Sequence, residues 1–483
     1  MAARKAFEFL NRITGLAPLS PPVFEGADPI VATPFHVGEA AAAALGLGAA
    51  TAAEIWRLRG GDRQNVSIEL NAAAASLLSF MFVKRGGRGF VRPSLDAPTV
   101  GLYRCGDGRW IHLHGGFTRQ HPRTLDLLNA ADTREAVAQA VAKWNAFALE
   151  ESLAFMNLGG AVVRTRDEWA DSAQGRALAA TPPIVLKKIG EAPPLRLRDS
   201  RNPLDGIRVL DLTRVLAGPT CARTLASYGA DVLSIRAERL ETIEMFDLDT
   251  GQGKRCAYLD LVKPADAETL RRLVRGAHIF VDSYRPGALA RLGFTPASLA
   301  HIARGITYVS VSCYGHEGPW AGRRGWEQMA QSATGLAHEQ GVFSAARGGA
   351  RREPIPEPIP AAACDYITGY LAAAGAAAAL LRRIREGGSW QVLVSLSATA
   401  MWLASLGLIE AARVPEGWTP GAGLDRYLNS CQTDEGRLDF LGPVVQMSKT
   451  PPAWRRPPPM PGADAPRWLE TREDAHAAEE QSA

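Results

Sequence analysis

The sequence predicts an α/β protein built on a parallel sheet, and the clearest sign is a strand–loop–helix–strand unit at residues 207–235. The apolar run 207–212 is typical of a buried strand, and small residues after it lead into a predicted helix at 220–226. Gly229 then precedes a second apolar run, 232–235. This is the βαβ unit of a parallel sheet, and open α/β sheets bind ligands at the loop that follows such a strand.

Further strands and helices continue the alternation. A basic turn at 253–255 enters a predicted strand that ends near 261, and another strand at 279–282 precedes a Pro-Gly turn. Thr295 and Pro296 have the residue types of a helix N-cap and first helical position. A further strand is predicted at 307–312. Strands that alternate with helices favour one parallel sheet over several antiparallel ones.

The loop after the first strand is not a dinucleotide-binding fingerprint. It contains Ala217-Gly218 without the G-x-G-x-x-G pattern, and Arg236 stands where an acidic residue would follow the second strand. The sequence therefore argues against nicotinamide or flavin binding in the usual geometry.

Composition narrows the class of protein. A chain of 483 residues with 46% hydrophobic and 22% charged residues is ordinary for a globular protein of roughly two to four domains of about 150 residues each. The net charge of +4, without a basic block, gives no support for a nucleic-acid partner.

The six cysteines form no C-x-x-C pair, and the N-terminus lacks the apolar core of a secretory signal. The uncharged run 366–381 is shorter than the ~20 residues of a membrane span. We expect a cytoplasmic protein with reduced thiols and no membrane partner.

The chain contains an internal repeat. Glu39 opens an Ala-rich helix that leads to a strand at 66–70, and Asp365 opens a second Ala-rich helix that leads to a strand at 392–396. An offset of 326 positions aligns Val66 with Val392 and Glu39 with Asp365 (392 − 66 = 365 − 39 = 326). Two copies of one helix–turn–strand unit predict a partial duplication.

Several segments, in this order, resemble the family III CoA-transferases, also called the CaiB/BaiF family. Relatives in that family include formyl-CoA transferase, carnitine CoA-transferase and alpha-methylacyl-CoA racemase. The similarity is clearest from about Pro203 to Leu396 and includes the segments 213–219, 253–261, 277–293 and 307–319. It implies a Rossmann-like parallel-sheet large domain and a smaller α+β domain, with the halves of the family fold rearranged or partly duplicated.

The resemblance also suggests a division of the chain. Residues 1–85 are predicted to form an Ala-rich unit like the later part of the large domain, and 86–192 the small α+β domain, with a hairpin turn at 106–108. Residues 193–203 are the predicted linker, and 204–400 the CoA-binding domain with the catalytic helix. Residues 401–450 are a return segment, and 451–483 a Pro-rich arm with a disordered acidic tail.

Asp365 is the candidate nucleophile. A carboxylate at a helix start is favoured by the free N–H groups there, so on residues alone a capping role is the more common one. The resemblance implies otherwise, because the family's nucleophilic aspartate opens this helix in the pattern Asp-x-x-x-Gly, which Asp365 and Gly369 match. Glu39 lacks that pattern and is predicted to be structural rather than a second nucleophile.

The resemblance implies a set of coenzyme A contacts as well. They comprise a strand-end loop, a Ser-Tyr pair, a tyrosine and two arginines: Val215, Leu216, Ala217, Ser283, Tyr284, Tyr314, Arg239 and Arg291. Arg236 is the alternative to Arg239, because the usual Lys-x-Glu end of the second strand is replaced here by Arg-Ala-Glu at 236–238. No metal site is predicted, because His112 and His114 share a strand face without a third ligand.

The predicted function is transfer of CoA between an acyl-CoA and a small carboxylic acid through an aspartyl-CoA thioester, by a homodimer that binds CoA as substrate and holds no permanent cofactor. One alternative is an acyl-CoA racemase or isomerase. Trp326 argues against it, because the racemase branch has a proton-transferring histidine at this position. The other alternative is a non-catalytic CoA-binding partner subunit. The sequence does not identify the acyl donor or the acceptor acid.

Overall fold

The computed structural model describes residues 2–90, 96–285, 287–347, 353–414 and 423–469. Its first part begins with an amphipathic helix whose buried residues Ala3, Phe7 and Leu10 recur at helical spacing. A short 3-10 helix at Ser79–Phe82 follows the third α-helix. The elements of this part are α1 (Ala2–Ile13), β1 (Val23–Glu25), α2 (Val37–Leu58), β2 (Val66–Glu69), α3 (Leu70–Ser76), β3 (Lys84–Arg85) and β4 (Arg88–Gly89).

The second part contains a small antiparallel sheet covered by short helices, as predicted for an α+β unit. Thr165 and Glu168 form a reciprocal capping box at one of these helices, which explains why it starts there. The elements are β5 (Val100–Arg104), β6 (Trp110–His114), α4 (His121–Leu128), α5 (Arg134–Val141), α6 (Ala146–Phe155), β7 (Gly160–Val162), α7 (Arg166–Asp171), α8 (Ala173–Leu178) and β8 (Val185–Gly190).

The third part contains the strand–helix alternation predicted from the sequence. Thr295 caps the helix that begins at Pro296, because its side chain accepts the N–H of Ser298. The elements are β9 (Arg208–Leu212), α9 (Ala217–Ser227), β10 (Asp231–Arg236), α10 (Glu244–Thr250), β11 (Lys254–Tyr258), α11 (Pro264–Arg275), β12 (Ile279–Asp282), α12 (Pro296–Ile302) and β13 (Thr307–Ser312).

The last part supplies the second Ala-rich helix and four strands that join three different sheets. It comprises α13 (Glu327–Thr334), α14 (Leu336–Ala346), α15 (Ala363–Glu386), β14 (Ser389–Ser395), α16 (Leu396–Ser405), β15 (Leu428–Thr433), β16 (Gly436–Leu441) and β17 (Val445–Met447).

A seven-stranded sheet organises the protein, with strand order β11-β10-β9-β12-β13-β14-β8. Its first six strands are parallel, and β8 pairs antiparallel with β14 at the edge. The order reverses beside β9, so the loops after β9 and β12 lie together at the carboxyl edge, where doubly wound sheets bind ligands. The mixed α/β architecture with a Rossmann-like sheet is the fold class predicted from the sequence.

The two Ala-rich helices α2 and α15 pack against each other in the centre of the largest core cluster. Their small side chains allow close approach of the backbones, as where Gly48 meets Ala374. Helix α15 is long and apolar enough to cross a membrane, but its most apolar stretch is entirely buried in the protein, as in a core helix.

The surroundings of the two helices repeat as well. Strand β2 pairs parallel with β1 and antiparallel with β17, just as β14 pairs parallel with β13 and antiparallel with β8. Each of these strands runs directly into a helix, α3 or α16. The repeat predicted from the sequence is therefore a repeat of structure with matching strand neighbours.

Two segments, strand β8 and the Pro-rich arm, pack against the large domain although each lies outside its predicted bounds in the sequence. Strand β8 precedes the predicted linker at 193–203 yet completes the large sheet. The Pro-rich arm runs over the large domain, where Trp454 donates to the Arg223 carbonyl at 3.0 Å and Trp468 donates to the Leu273 carbonyl at 2.9 Å. The acidic tail from residue 470 onward, predicted to be disordered, lies outside the described residues.

Candidate active site

Asp365 lies in the first turn of α15 and is only 7% exposed. It lines two cavities, which meet at its position. No described residue donates a hydrogen bond to its carboxylate oxygens. A buried carboxyl group that lines a cavity without a bonding partner is poised for chemistry rather than for capping.

Gly369 explains how the Asp365 carboxylate comes to lie beside the loop that follows β9. A Cβ at Gly369 would lie 2.6 Å from the Ala217 carbonyl oxygen and 2.7 Å from the Thr220 Cβ. Only glycine therefore allows α15 to pack this closely against the start of α9, one turn beyond Asp365. The Asp-x-x-x-Gly pattern has a packing reason, since it brings the carboxylate beside the loop that follows β9.

Glu327 is the buried partner of this helix start. Its carboxylate accepts the N–H of Cys364 at 3.0 Å and the N–H of Asp365, and Gln331 donates to it at 2.5 Å. Gln331 in turn accepts the N–H of Ile359 at 2.7 Å, which ties the segment before α15 to α13. Glu327 thus performs the capping role that the sequence alone would assign to Asp365, and leaves the Asp365 side chain free.

The carboxyl groups of Asp365 and Glu327 interact electrostatically. Burial raises the pKa of Asp365 well above its ordinary value, and the nearby Glu327 charge raises it further. Burial also raises the pKa of Glu327, while its hydrogen bonds to Gln331 and the helix start act in the opposite direction. Because Glu327 has several donors and Asp365 has none, the negative charge of the pair is better accommodated on Glu327.

The larger cavity has a volume of about 720 Å³. Its described lining is mainly apolar and aromatic, with Phe80, Met81, Phe117, Phe246 and Ile359 among the lining residues. The segment that follows α3 and the segment that leads into α15 both contribute to it.

The smaller cavity has a volume of about 340 Å³ and carries four arginines: Arg214, Arg285, Arg323 and Arg324. Arg323 is paired with Glu151 at 2.7 Å. Burial lowers the pKa of Arg324, and the positive charges of Arg285, Arg123 and Arg214 lower it further. Positive charges that repel one another in this way are suited to the binding of a polyanion.

A strained loop and a tryptophan separate the two cavities. Val215 has φ 71°, a conformation that β-branched residues avoid, and such strain is concentrated at functional sites. Trp326 stacks on His114 with ring centroids 4.7 Å apart and on Phe117 at 5.2 Å. Val215, Leu216 and Trp326 line both cavities, and α9 starts at Ala217, so its first N–H groups lie at the junction without intrahelical acceptors.

The predicted coenzyme A contacts fall into two groups. Five of them line the smaller, arginine-bearing cavity: Val215, Leu216, Ala217, Ser283 and Tyr284.

The other three lie away from the described lining. Arg239 pairs with Asp260 at 3.1 Å, and Arg291 is exposed on a 3-10 helix. Tyr314 is buried in a core cluster, edge-on to Trp320 at 5.1 Å. The alternative to Arg239, Arg236, is held by Asp247 at 2.6 Å. Ion pairing therefore already holds Arg239 and Arg236, and core packing holds Tyr314.

Sequence reasoning missed four groups at the junction: Glu327, Arg214, Arg285 and Arg324. Arg214 immediately precedes and Arg285 immediately follows a predicted contact residue, so their position beside strand-end loops was a usable signal, whereas Arg324 has no such neighbour. Glu327 had no such signal, because 38 residues separate it from the helix start that it caps.

Glu39 lies at the start of α2 in a different environment. Its N–H donates to Asp28 at 2.9 Å, and its carboxylate contacts His36 at 2.6 Å. It lines neither of the two cavities at Asp365. Asp28, His36 and Glu39 are the one group of potential metal ligands found among the described residues, with ligand atoms within 4.8 Å of one another. These side chains are already bonded to each other and to the helix start.

The cysteines near the site are poor nucleophiles. Burial raises the pKa of both Cys313 and Cys364, and the charges of Asp365 and Glu327 raise it further. Thiols held in the neutral form are unreactive, so Asp365 is the best placed nucleophile at the junction.

Comparison with known proteins matches the chain to one family and to named relatives. The sequence model of CoA-transferase family III matches residues 10–200 and 204–427. Acetyl-coenzyme A transferase nodX of Hypoxylon pulicicidum is 30% identical over 70% of this chain and 64% of its own. Formyl-CoA:oxalate CoA-transferase of Escherichia coli is 29% identical over 52% of this chain and 55% of its own.

The chain spans at most about two thirds of the length of these relatives, 64% of the first and 55% of the second. Among solved structures, a CaiB/BaiF family protein from Brucella suis is 26% identical, over 49% of this chain and 65% of that one, with a TM-score of 0.36.

Proposed function

Because the chain belongs to CoA-transferase family III, we propose that it transfers coenzyme A from an acyl-CoA to a carboxylic acid through an aspartyl-CoA thioester on Asp365. One observation carries the proposal. An unbonded, buried carboxyl group lies where an arginine-lined cavity meets an apolar one. The relatives named above are CoA-transferases, which supports the general class of reaction.

The two cavities suit the two ends of an acyl-CoA. The phosphates of coenzyme A would bind among Arg214, Arg285 and Arg324, because arginine forms charge-assisted, often bidentate bonds to phosphate. The pantetheine arm would pass between Val215 and Trp326, and the thioester would then lie beside Asp365.

The exchange needs no oxidant, reductant or water. The ionised Asp365 oxygen attacks the thioester carbonyl, the C–S bond breaks, and a mixed anhydride and CoA thiolate result. The thiolate attacks the aspartyl carbon of the anhydride, releasing the donor acid and forming aspartyl-CoA.

The second half repeats these steps in reverse. The acceptor carboxylate attacks the aspartyl thioester and expels CoA thiolate. The thiolate then attacks the acceptor's acyl carbon in the new anhydride, which frees the Asp365 carboxylate and releases the product acyl-CoA. Every bond that forms is matched by one that breaks, and no proton is gained or lost overall.

The residues around Asp365 have supporting roles. The first N–H groups of α9 lie where they could stabilise the oxyanions of each addition step. Glu327 holds the start of α15 in place and raises the pKa of Asp365, so that the ionised nucleophile is more basic. The aromatic stack around Trp326 excludes water, which would otherwise hydrolyse the anhydride and the thioester.

Racemisation has less support. It needs a group that removes and returns a proton, and Trp326 cannot do so. The adjacent His114 is buried, which lowers its pKa to about 4, and it is covered by the Trp326 ring.

We also propose that the protein acts in the cytoplasm as a homodimer. The free state of its cysteines supports the first point. Measurement of the molar mass by light scattering during size-exclusion chromatography tests the second point, with a monomer mass of 51.7 kDa as reference.

The test of the reaction is intact-protein mass spectrometry after incubation with a panel of acyl-CoAs. We expect an adduct of CoA mass that hydroxylamine removes and that Asp365→Asn lacks. Glu39→Gln is the matched control and should form the adduct normally. CoA binding without an adduct from any donor would favour the non-catalytic alternative, and an adduct that persists in Asp365→Asn would exclude Asp365 as the nucleophile.

A further inference from the structure

We infer that the transferred acyl group is a bulky, apolar monocarboxylic acid rather than a small acid or a dicarboxylic acid. This inference rests on the proposed function, because it concerns the acid that is bound beside Asp365. It depends on three properties of the larger cavity, which are its lining, its charge and its size.

The described lining is mainly hydrocarbon and aromatic surface, with Gln328 and Gln331 among its polar members. Phe80 packs edge-on against Phe246 with centroids 5.2 Å apart, and both side chains are buried. Phe117 and Trp326 form the opposite stack beside Asp365. An apolar chain that enters this space leaves water for contact with these groups, which is favourable in proportion to the area buried.

The charge of the cavity disfavours a second carboxylate. Among the described lining residues there is no lysine or arginine, and the ionisable ones are Glu327, Asp365 and His114. His114 is neutral at physiological pH, since burial lowers its pKa to about 4. A distal carboxylate would therefore be buried without a cation and in the field of the Glu327 charge, which is costly.

The arginines of the site lie away from the cavity that would bind the acyl group of the substrate. Arg214, Arg285, Arg323 and Arg324 line the smaller cavity and not the larger one, from which Trp326 and Val215 separate them. Arg214, Arg285 and Arg324 are thus placed for the phosphates of coenzyme A, whereas the described lining of the larger cavity offers the acyl end no cation. The separation of charge between the two cavities defines which end of the substrate enters each.

The size of the cavity indicates a bulky group. At about 720 Å³ it lies within the range of pockets that enclose drug-sized ligands, far above the needs of a formyl or acetyl group. A small acyl group would leave the lining in contact with water and would gain little from it.

The experiment compares acyl-CoA donors by the rate at which they form the aspartyl-CoA adduct on the full-length protein without acceptor. We expect the rate constant at low donor concentration to rise about 4-fold per methylene from propanoyl-CoA to hexanoyl-CoA. Adipoyl-CoA, in which a carboxylate replaces the terminal methyl group of hexanoyl-CoA, should react at least about 100-fold more slowly.

A charge introduced at the cavity tests the same idea in reverse. Met81 lines the cavity and is 54% exposed, so Met81→Lys should be tolerated in the fold. It should raise the rate for the dicarboxylic acyl-CoA whose length reaches it at least about 10-fold, measured relative to the hexanoyl-CoA rate of the same variant. Met460→Lys is the matched control, since Met460 is 48% exposed and lies outside the cavity.

The outcomes separate the two proposals. Equal or faster reaction of adipoyl-CoA, or a flat response to chain length, would overturn the substrate class while the adduct itself still supports Asp365 chemistry. Absence of an adduct from every donor would overturn the proposed function and this inference together. Equal gains in Met81→Lys and Met460→Lys would contradict the assignment of the cavity to the acyl group.

Discussion

The starts of helices α2 and α15 are two versions of one structure with opposite chemical outcomes. The residues before the two helices, His36 and Ala362, have nearly the same backbone angles, with φ −77° and −82° and ψ 58° in both. In each case a buried carboxylate, Asp28 or Glu327, accepts the N–H of the helix-opening acid. The shared geometry therefore places a second carboxyl side chain at the same point of both helices.

The difference lies in what surrounds that second side chain. The carboxylate of Glu39 is held by His36, whereas that of Asp365 is unbonded and lines two cavities. Position 43, which aligns with Gly369 at the offset of 326, is alanine, so α2 lacks the glycine that brings α15 close to α9. The comparison shows that a helix-start carboxylate becomes a candidate nucleophile only when another residue does the capping and a cavity lies beside it.

Among the tests of this contrast, removal of the Asp365 carboxylate should have the largest effect on activity. Asp365→Asn should lower kcat for CoA transfer by at least about 1,000-fold, because the amide cannot form the anhydride. Glu39→Gln should stay within about 2-fold of wild type. Steady-state transfer assays over a panel of acyl-CoAs measure both. Comparable losses in the two variants would mean that the helix starts do not differ in function.

The helix glycines provide the next test. Gly369→Ala places a Cβ against the Ala217 carbonyl, so it should destabilise the protein by about 1–3 kcal/mol and lower activity by 10-fold or more as Asp365 shifts. Gly48→Ala in α2 meets only ordinary contacts at 3.8 Å, and should be neutral or stabilise by up to about 1 kcal/mol. Urea unfolding and kcat/KM report the two effects, and a destabilised but fully active Gly369→Ala would show that the close approach does not position Asp365.

The arginine cluster distinguishes the junction at α15 from the start of α2. Removal of one of its charges should have a moderate effect on the KM for acyl-CoA. Arg324→Gln should raise the KM for acyl-CoA roughly 10-fold with a smaller change in kcat, because it removes one phosphate-binding charge. Arg291→Gln should leave the KM unchanged, since this residue lies outside the described cavity lining. The reverse ranking would support the contact implied by family resemblance over the one proposed from the cavity lining.

The pH profile tests the coupling of the carboxyl pair. Asp365 must be ionised to attack, and its pKa is raised, so activity should rise with pH along an acid limb. Glu327→Gln removes the charge that raises this pKa, and the limb should move to lower pH. Asp28→Asn should leave the profile unchanged. A limb that stays in place in Glu327→Gln would show that Glu327 is uncharged in the active enzyme.

The smallest effect concerns stability at the start of α2. Burial raises the pKa of Asp28 to about 6, so the folded state holds a proton that the unfolded chain releases near pH 4. Stability from this group is complete below pH 4 and is lost as the pH rises through 6, in total about 2–3 kcal/mol. Asp28→Asn should therefore raise the melting temperature at pH 7 relative to wild type and change it little at pH 4. An equal shift at both pH values would rule out titration of Asp28 as the cause.

The fold was largely predictable, because alternating apolar strands and helices are local patterns. The strand–helix succession from 207 to 312, the N-cap at Thr295 and the repeat of the two Ala-rich helices can all be seen in short segments of sequence. The role of Arg324 could not be predicted in this way, since its cluster joins residues from separate loops and its signal in the sequence is a single basic residue.

The sequence by itself determined the sheet, the two matched helices and the presence of an acidic residue at the start of each. Periodicity and turn chemistry act over a few residues, so they can be recognised without the tertiary structure. Only the tertiary structure decided which acid is free. That depends on Glu327, His36 and Gly369, whose effects are exerted through contacts between elements distant along the chain. Burial and charge at such contacts arise only when the chain has folded, and they make Asp365, rather than Glu39, the candidate nucleophile.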